Sequence, residues 1–208
     1  SSAAHLGLFT MPLGPGHEKK NAPPSNEDIA RVVVAALTDP ETHAGKTYRP
    51  TGPELLSPDD IAAAMGRALG RKVRYMDISE KMMSKALRAA PPSNYSEAAV
   101  SQLAIYAEEY RRGTFAVNAP TSDVETVSGR KPEAFEDIVA RYVAANPELL
   151  PSMGRRLTAL GGFLKTLATP ALDLEVVQRD RDYIQPRQPH FSQDAEAWRR
   201  THEPLQEA

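Results

Sequence analysis

The sequence predicts a helix-rich α/β fold with a few short strands and an extended C-terminal tail, and three observations predict it. Segments with an apolar residue every three or four positions recur along the chain, each opened by a capping residue and closed by Gly or Pro. Short β-prone runs, Thr47–Arg49 and Val73–Ile78, lie between them. Proline, 18 residues in all, gathers at element ends and in the last third of the chain, which marks loops and extended backbone there.

Composition bounds the rest. A chain of 208 residues that is 41% hydrophobic can bury a core, as one domain or one domain plus an appendage. The 25 Lys and Arg against 27 Asp and Glu give a net charge of −2, so no basic excess points to nucleic acid. The absence of cysteine excludes disulfides, thiolate catalysis and Cys-based metal sites. No run approaches the roughly 20 apolar residues of a membrane span, and the N-terminus reads unlike a signal peptide, so the expected compartment is the cytoplasm. The triplet Asn94-Tyr95-Ser96 matches a glycosylation acceptor but has no other support.

The clearest element begins at Ser57. Ser57 caps a helix, Pro58 takes its first position, Asp59 and Asp60 place negative charge at the positive end of its dipole, and Gly70 stops it. Ile61, Ala64, Met65, Ala68 and Leu69 form its apolar stripe. Before it, Thr47–Arg49 reads as a central strand ended by Pro50 and a turn through Thr51, Gly52 and Pro53.

Taken from the start, Leu6–Met11 reads as a short strand and 12–24 as a loop. Ser25 or Asn26 caps a helix with a stripe of Ile29, Val32, Val33, Ala36 and Leu37, ended at Asp39-Pro40, and Glu41–Gly45 is a turn. Val73–Ile78 reads as an edge or minor strand. Ser79 caps a helix broken by Pro91-Pro92, whose Met82 and Met83 read as core filling, with pocket lining as the alternative. Ser96 opens a helix running to Arg111-Arg112-Gly113, with Val100, Leu103, Ala104, Ala107 and Tyr110 on one face. Thr114–Asn118 reads as extended, Thr121 or Ser122 as the cap of a short helix ending at Gly129, and Pro132 as the start of a helix with Phe135, Ile138, Val139, Tyr142 and Val143 inward.

Several of these segments together resemble the C-terminal half of the NmrA-like family, the atypical short-chain dehydrogenase/reductases of the Rossmann superfamily. They are Asn26-Glu-Asp-Ile-Ala30, Gly45-Lys-Thr-Tyr-Arg-Pro-Thr-Gly-Pro53, Leu56-Ser-Pro-Asp-Asp-Ile-Ala62, Leu69-Gly-Arg-Lys-Val-Arg-Tyr75 and Ser128-Gly-Arg-Lys-Pro-Glu-Ala-Phe-Glu136. The resemblance covers about residues 7 to 143 and divides the chain into 1–145, a lobe with the last sheet strands and a substrate surface, and 146–208, a C-terminal extension. It implies a Rossmann-like fold binding NAD or NADP, and a role as NAD(P)H-dependent reductase or redox-responsive regulator acting on a small molecule that the residues do not specify. The alternative is a non-enzymatic α-rich interaction module.

The residues that would bind the cofactor belong to the family's N-terminal half. Gly14-Pro15-Gly16 has no third glycine, no strand of useful length before it and no helix directly after it, so it reads as a turn, and the chain alone is expected not to bind a dinucleotide. Catalytic residues are equally absent. No tyrosine has lysine four positions later; Tyr183 with Arg187 comes nearest, and arginine cannot relay a proton. His5, His17, His43, His190 and His202 have no metal-ligand spacing. Asp28, Asp59 and Asp60 are explained by the first turns of their helices.

The extension carries one amphipathic helix, Ser152–Ala168, with Met153, Leu157, Leu160, Leu164 and Leu167 on one side and Arg155, Arg156 and Lys165 elsewhere. Its stripe is expected to be covered by the chain's own lobe or by a second subunit, making the extension a docking or homo-oligomer contact, with an anionic membrane as the weaker reading. Val176–Pro189 reads as extended chain over the same surface, with Phe191 and Trp198 as anchors.

Overall fold

The computed structural model describes residues 2–89, 96–150, 152–173, 176, 179 and 191–202. A short helix α1 (Ser2–Leu6) leads into β1 (Leu8–Met11), which pairs in parallel with β2 (Arg74–Asp77), Leu8 opposite Arg74 and Met11 opposite Asp77. Parallel strands need a long connection, and this one carries α2 (Asn26–Thr38), α3 (Pro40–His43) and α4 (Pro58–Ala68). The chain continues as α5 (Glu80–Ala89), α6 (Glu97–Arg111), a 3₁₀ turn (Thr114–Ala116), α7 (Asp123–Ser128) and α8 (Phe135–Ala145). Beyond these lie α9 (Met153–Ala168) and α10 (Glu196–His202).

Serine hydroxyls open the main helices as their sequences require. Ser25, Ser57, Ser79, Ser96 and Ser152 accept hydrogen bonds from the backbone N–H of Asp28, Asp60, Met82, Ala99 and Arg155, at 3.0 to 3.3 Å. At α4 the cap is reciprocal: the Ser57 N–H donates to Asp60 Oδ2 at 3.0 Å, a capping box that holds the Asp60 carboxyl below its usual range. Ser57→Ala removes an almost fully buried cap and is expected to cost about 1–2 kcal/mol, read as a lower denaturant midpoint at unchanged m-value. Gly70, at φ +62°, ends the same helix where an L side chain would be strained.

The core gathers between α4, the two strands and α1. Ala4, Ala62, Leu69 and Val73 are buried there, with Phe9, Met65, Tyr75, Val143 and Leu149 packed around them. Gly52 closes the turn before α4: its N–H donates to Ala22 O at 2.9 Å, and a Cβ on it would lie 2.6 Å from Pro23 O.

Four local expectations are corrected. Thr47–Arg49 is not a strand: among the described residues no strand pairs with it, and side chains occupy its backbone instead, with the Arg49 N–H donating to Asp123 at 2.6 Å and Thr121 Oγ1 donating to Arg49 O. Glu41–Gly45 is mostly α3, since Asp39 both ends α2 and accepts from the Thr42 N–H at 3.2 Å. Thr114–Asn118 is not extended: Gly113 at φ +77° turns it into 3₁₀, and the Arg49 guanidinium donates to Phe115 O and Val117 O. The stripe of α2 is not buried as a whole. Val32 is buried, but Ile29, Val33, Val34 and Leu37 are 40% to 74% exposed, because the helix buries the side that carries Asp28 and Val32, which takes in only one edge of the stripe.

The helix expected from Pro132 begins at Phe135. Pro91-Pro92, Asn94-Tyr95, Tyr183 with Arg187, His190 and nearly all of Val176–Pro189 fall outside the described residues.

Candidate functional site

Between α4, α8 and α1 lies a cavity of about 240 Å³, lined by Ala4, Met65, Leu69, Ile138, Val139, Tyr142, Val143 and Leu149. Four of the five apolar residues read from the sequence of α8 line this space. The single polar side chain in the lining is Tyr142, whose hydroxyl accepts from Asn26 Nδ2 at 3.5 Å. Hydrocarbon walls of this size favour a ring or alkyl group and provide no cation for a phosphate, no general acid and no general base.

The polar side of the lobe is built around the turn Gly14-Pro15-Gly16. The Tyr75 hydroxyl sits 3.0 Å from both Met11 O and Gly14 O, accepts the Leu13 N–H at 3.2 Å and lies 3.3 Å from Asp77 Oδ1, which accepts the Gly14 N–H at 3.1 Å. Burial pushes the Tyr75 phenol far up, so it stays protonated as a latch on the turn. Tyr110 is buried too, pushed up to about 12 by burial and by the carboxylates of Asp60 and Glu18. Neither phenol is poised to exchange a proton near neutral pH.

These residues do not fit a dinucleotide. A pyrophosphate is held by free N–H groups at a glycine turn and helix N-terminus. Here Gly14 N–H is spent on Asp77, Asp59 N–H donates to Gly16 O at 2.9 Å, Asp60 N–H is spent on Ser57, and the Asp59 carboxylate crowds the open side of Gly16. Negative charge lines the turn where a phosphate would have to lie.

The other sequence candidates are placed as follows. His43 shares a 2.7 Å hydrogen bond with the Tyr48 hydroxyl, His202 stacks on Trp198 at 4.3 Å, and burial and positive neighbours such as Arg155 and Arg71 lower the pKa of His5. Among the described residues no three His, Asp or Glu side chains are grouped as a metal ion would need.

Asp28 departs from its sequence reading. Fully buried, it binds the Arg31 guanidinium and accepts the Glu133 N–H at 2.9 Å, tying α2 to the loop before α8. Its role is therefore tertiary as well as helix-terminal. Glu109 was not singled out by the sequence, yet it accepts from Thr114 Oγ1 at 2.6 Å and from the Ser192 N–H and Oγ at 2.8 Å each. The only local signal is a glutamate on the buried side of α6, next to Tyr110.

The sequence pattern of the NmrA-like family matches residues 6–139, well over half of the chain. The chain belongs to the NmrA-like family. Within it, the lobe is 34% identical to the NAD(P)H azoreductase of Xenophilus azovorans over 140 residues, 67% of this chain and 46% of the azoreductase. It is 33% identical to the festuclavine dehydrogenase of Aspergillus fumigatus over 122 residues, 58% of this chain and 40% of that one. The chain thus spans less than half the length of these curated relatives. A solved nucleoside-diphosphate-sugar epimerase from Staphylococcus aureus, 21% identical, matches with a TM-score of 0.53 over 65% of this chain and 44% of its own, a likeness of fold. The extension beyond residue 139, with α9 and α10, lies outside the NmrA-like match.

Proposed function

We propose that this chain is the substrate-side lobe of an NAD(P)H-dependent reductase of the NmrA-like family, with the dinucleotide held by a Rossmann-type half that the 208 residues do not include. One observation carries the reading: the relatives named for reduction or dehydrogenation are matched across the lobe, while the Gly14-Pro15-Gly16 turn is closed by Asp59 and Asp77. The exposed apolar face of α2, from Ile29 to Leu37, supports it as a surface against which such a half packs. The apolar cavity beside α8 supports an aromatic or alkyl substrate group. No helix among the described residues is long and apolar enough to cross a membrane.

Calorimetry of the isolated chain with NADH or NADPH is expected to show no saturable binding. A polypeptide that adds a strand, a Gly-x-x-Gly-x-x-Gly turn and a helix upstream is expected to bind NADPH and to oxidise it with an azo or quinone acceptor. A one-site micromolar isotherm for the isolated chain overturns the division of labour; a longer polypeptide that binds NADPH without turnover of any acceptor favours the redox-responsive regulator. The second reading, a non-enzymatic docking module, is favoured by the outward apolar stripe of α9 and gains if no longer polypeptide binds dinucleotide.

A further inference from the structure

The cavity between α4, α8 and α1 is held open by its own walls. Gly66 of α4 lies so close to Arg71 that a Cβ on it would sit 2.8 Å from Arg71 O, which fixes the rotation of the helix and keeps Met65 and Leu69 at the cavity wall. The Arg67 guanidinium grips Glu136 of α8 through Nε at 2.6 Å and Nη2 at 2.9 Å, a two-point bond that sets the spacing of the two helices beside the gap. Ala4, 2% exposed, lies at the buried end, and the short side chains of Val139 and Val143 leave the space between the helices unfilled.

Size and charge select what enters. An apolar protein cavity of about 150 Å³ takes one benzene ring, and this one, at about 240 Å³, is roughly 1.6 times as large (240/150), room for two fused rings. No Lys, Arg, His, Asp or Glu lines it. The arginines on the helices of its walls are already paired, Arg67 with Glu136 and Arg141 with Glu27 at 2.7 Å and Glu133 at 2.9 Å, while Arg155 of α9 donates to Pro147 O and Leu150 O. A charged ligand would lose its water there and gain no partner. Met65, unbranched and polarisable, and the Tyr142 ring favour a flat aromatic over a branched alkyl group.

We propose that the cavity binds an uncharged aromatic group of two fused rings and, resting on the reductase reading above, that this group anchors the substrate. The walls hold no general acid and no general base, so the ring system bound there is the handle, and the bond to be reduced lies on the part of the substrate outside.

Methyl NMR of the 208-residue chain tests this with naphthalene, benzene and naphthoate as probes. Naphthalene is expected to shift the methyls of Met65, Leu69, Val139 and Val143 saturably, and to bind at least about tenfold more tightly than benzene, which buries less area, or naphthoate, which carries a charge. Val33 and Leu37 of α2 and Leu157 and Leu164 of α9, exposed but on no cavity, are expected not to respond. Val143→Trp and the gentler Val139→Phe fill the space, and each is expected to weaken naphthalene at least about tenfold with the rest of the methyl spectrum preserved. Ala144→Trp, on the exposed side of α8, is expected to leave binding intact. No saturable response, equal affinity for benzene or naphthoate, or an equal response on α2 and α9 overturns the site. The anchoring role is read separately, in a longer polypeptide that oxidises NADPH: competition between naphthalene and the acceptor supports it, and binding without competition overturns it. Absence of NADPH oxidation overturns the anchoring role together with the reductase reading, while binding by the isolated chain stands or falls by itself.

Discussion

Asp28→Ala is expected to lower the unfolding free energy by about 2–4 kcal/mol. The carboxylate is fully buried and serves three purposes: it lies in the first turn of α2, it pairs with Arg31 and it accepts the Glu133 N–H. Removing it leaves the Glu133 N–H without its buried acceptor and the Arg31 guanidinium, itself one third exposed, without its partner, and that cost exceeds the value of a helix-terminal charge. Asp28→Asn keeps an acceptor for Glu133 but loses the charge, so it is expected to fall between alanine and wild type. Urea midpoints of the three proteins measure this. A loss of only about 1 kcal/mol for the alanine variant would return Asp28 to a helix-terminal role.

The second large effect is expected at Glu109. Glu109→Ala leaves Thr114 Oγ1 and both donors of Ser192 without their acceptor and is expected to cost about 2–3 kcal/mol, releasing residues 191–202 from the end of α6. The surrounding contacts are more exposed: Arg112 pairs with Asp194 at 2.9 Å and lies 4.1 Å from the Phe191 ring, and Asn118 Nδ2 donates to His202 O at 2.6 Å. Trp198, the one tryptophan, stacks on His202 in this segment and reports its release by fluorescence. Burial by itself would raise the Glu109 carboxyl, but the bonds from Thr114 and Ser192 outweigh it and hold it below the usual range. A group lowered on folding stabilises fully above its unfolded value, about 4.3, and loses that contribution as pH falls through the folded value. The Trp198 signal of the wild type is therefore expected to change on acidification below about pH 4. In Glu109→Gln that change is expected to be absent. An unaltered Trp198 signal in Glu109→Ala would show that Arg112 and Asn118 hold the segment unaided.

The contrast between these two glutamate and aspartate roles and the helix caps shows what was legible in the sequence. Ser57 and Asp60 lie three residues apart, so the capping box can be read from the sequence, and so can the caps at Ser79 and Ser96. Asp28 meets Glu133 across 105 positions and Glu109 meets Ser192 across 83, distances at which no local pattern carries information. Phe191 illustrates the same limit: read as an anchor, it does anchor, but on Arg112 at the end of α6 rather than over the stripe of α9. The amphipathic helices were recognised from periodicity. Which apolar stripe is covered was not, because α2 and α9 each turn a different side toward the lobe than their hydrophobicity alone suggests. The cavity has a similar origin: the inward face of α8 was evident, but that it stops short of filling the space against α4 depends on how the two helices meet.

The stretch from Thr47 to Thr51 is β-prone in sequence yet belongs to no strand, and an unpaired β-prone backbone is open to pairing with another chain. At Arg49 both hydrogen-bonding groups of the backbone are already taken, the N–H by the Asp123 carboxylate and the carbonyl by the Thr121 hydroxyl, and Pro50 has no N–H to offer. Thr51 Oγ1 in turn accepts the Thr121 N–H at 2.8 Å, closing the other side of the contact. Foreign strands therefore find no free ladder to extend along Arg49 and Pro50. The side chains of Thr121 and Asp123 thereby guard these two positions against runaway β-association.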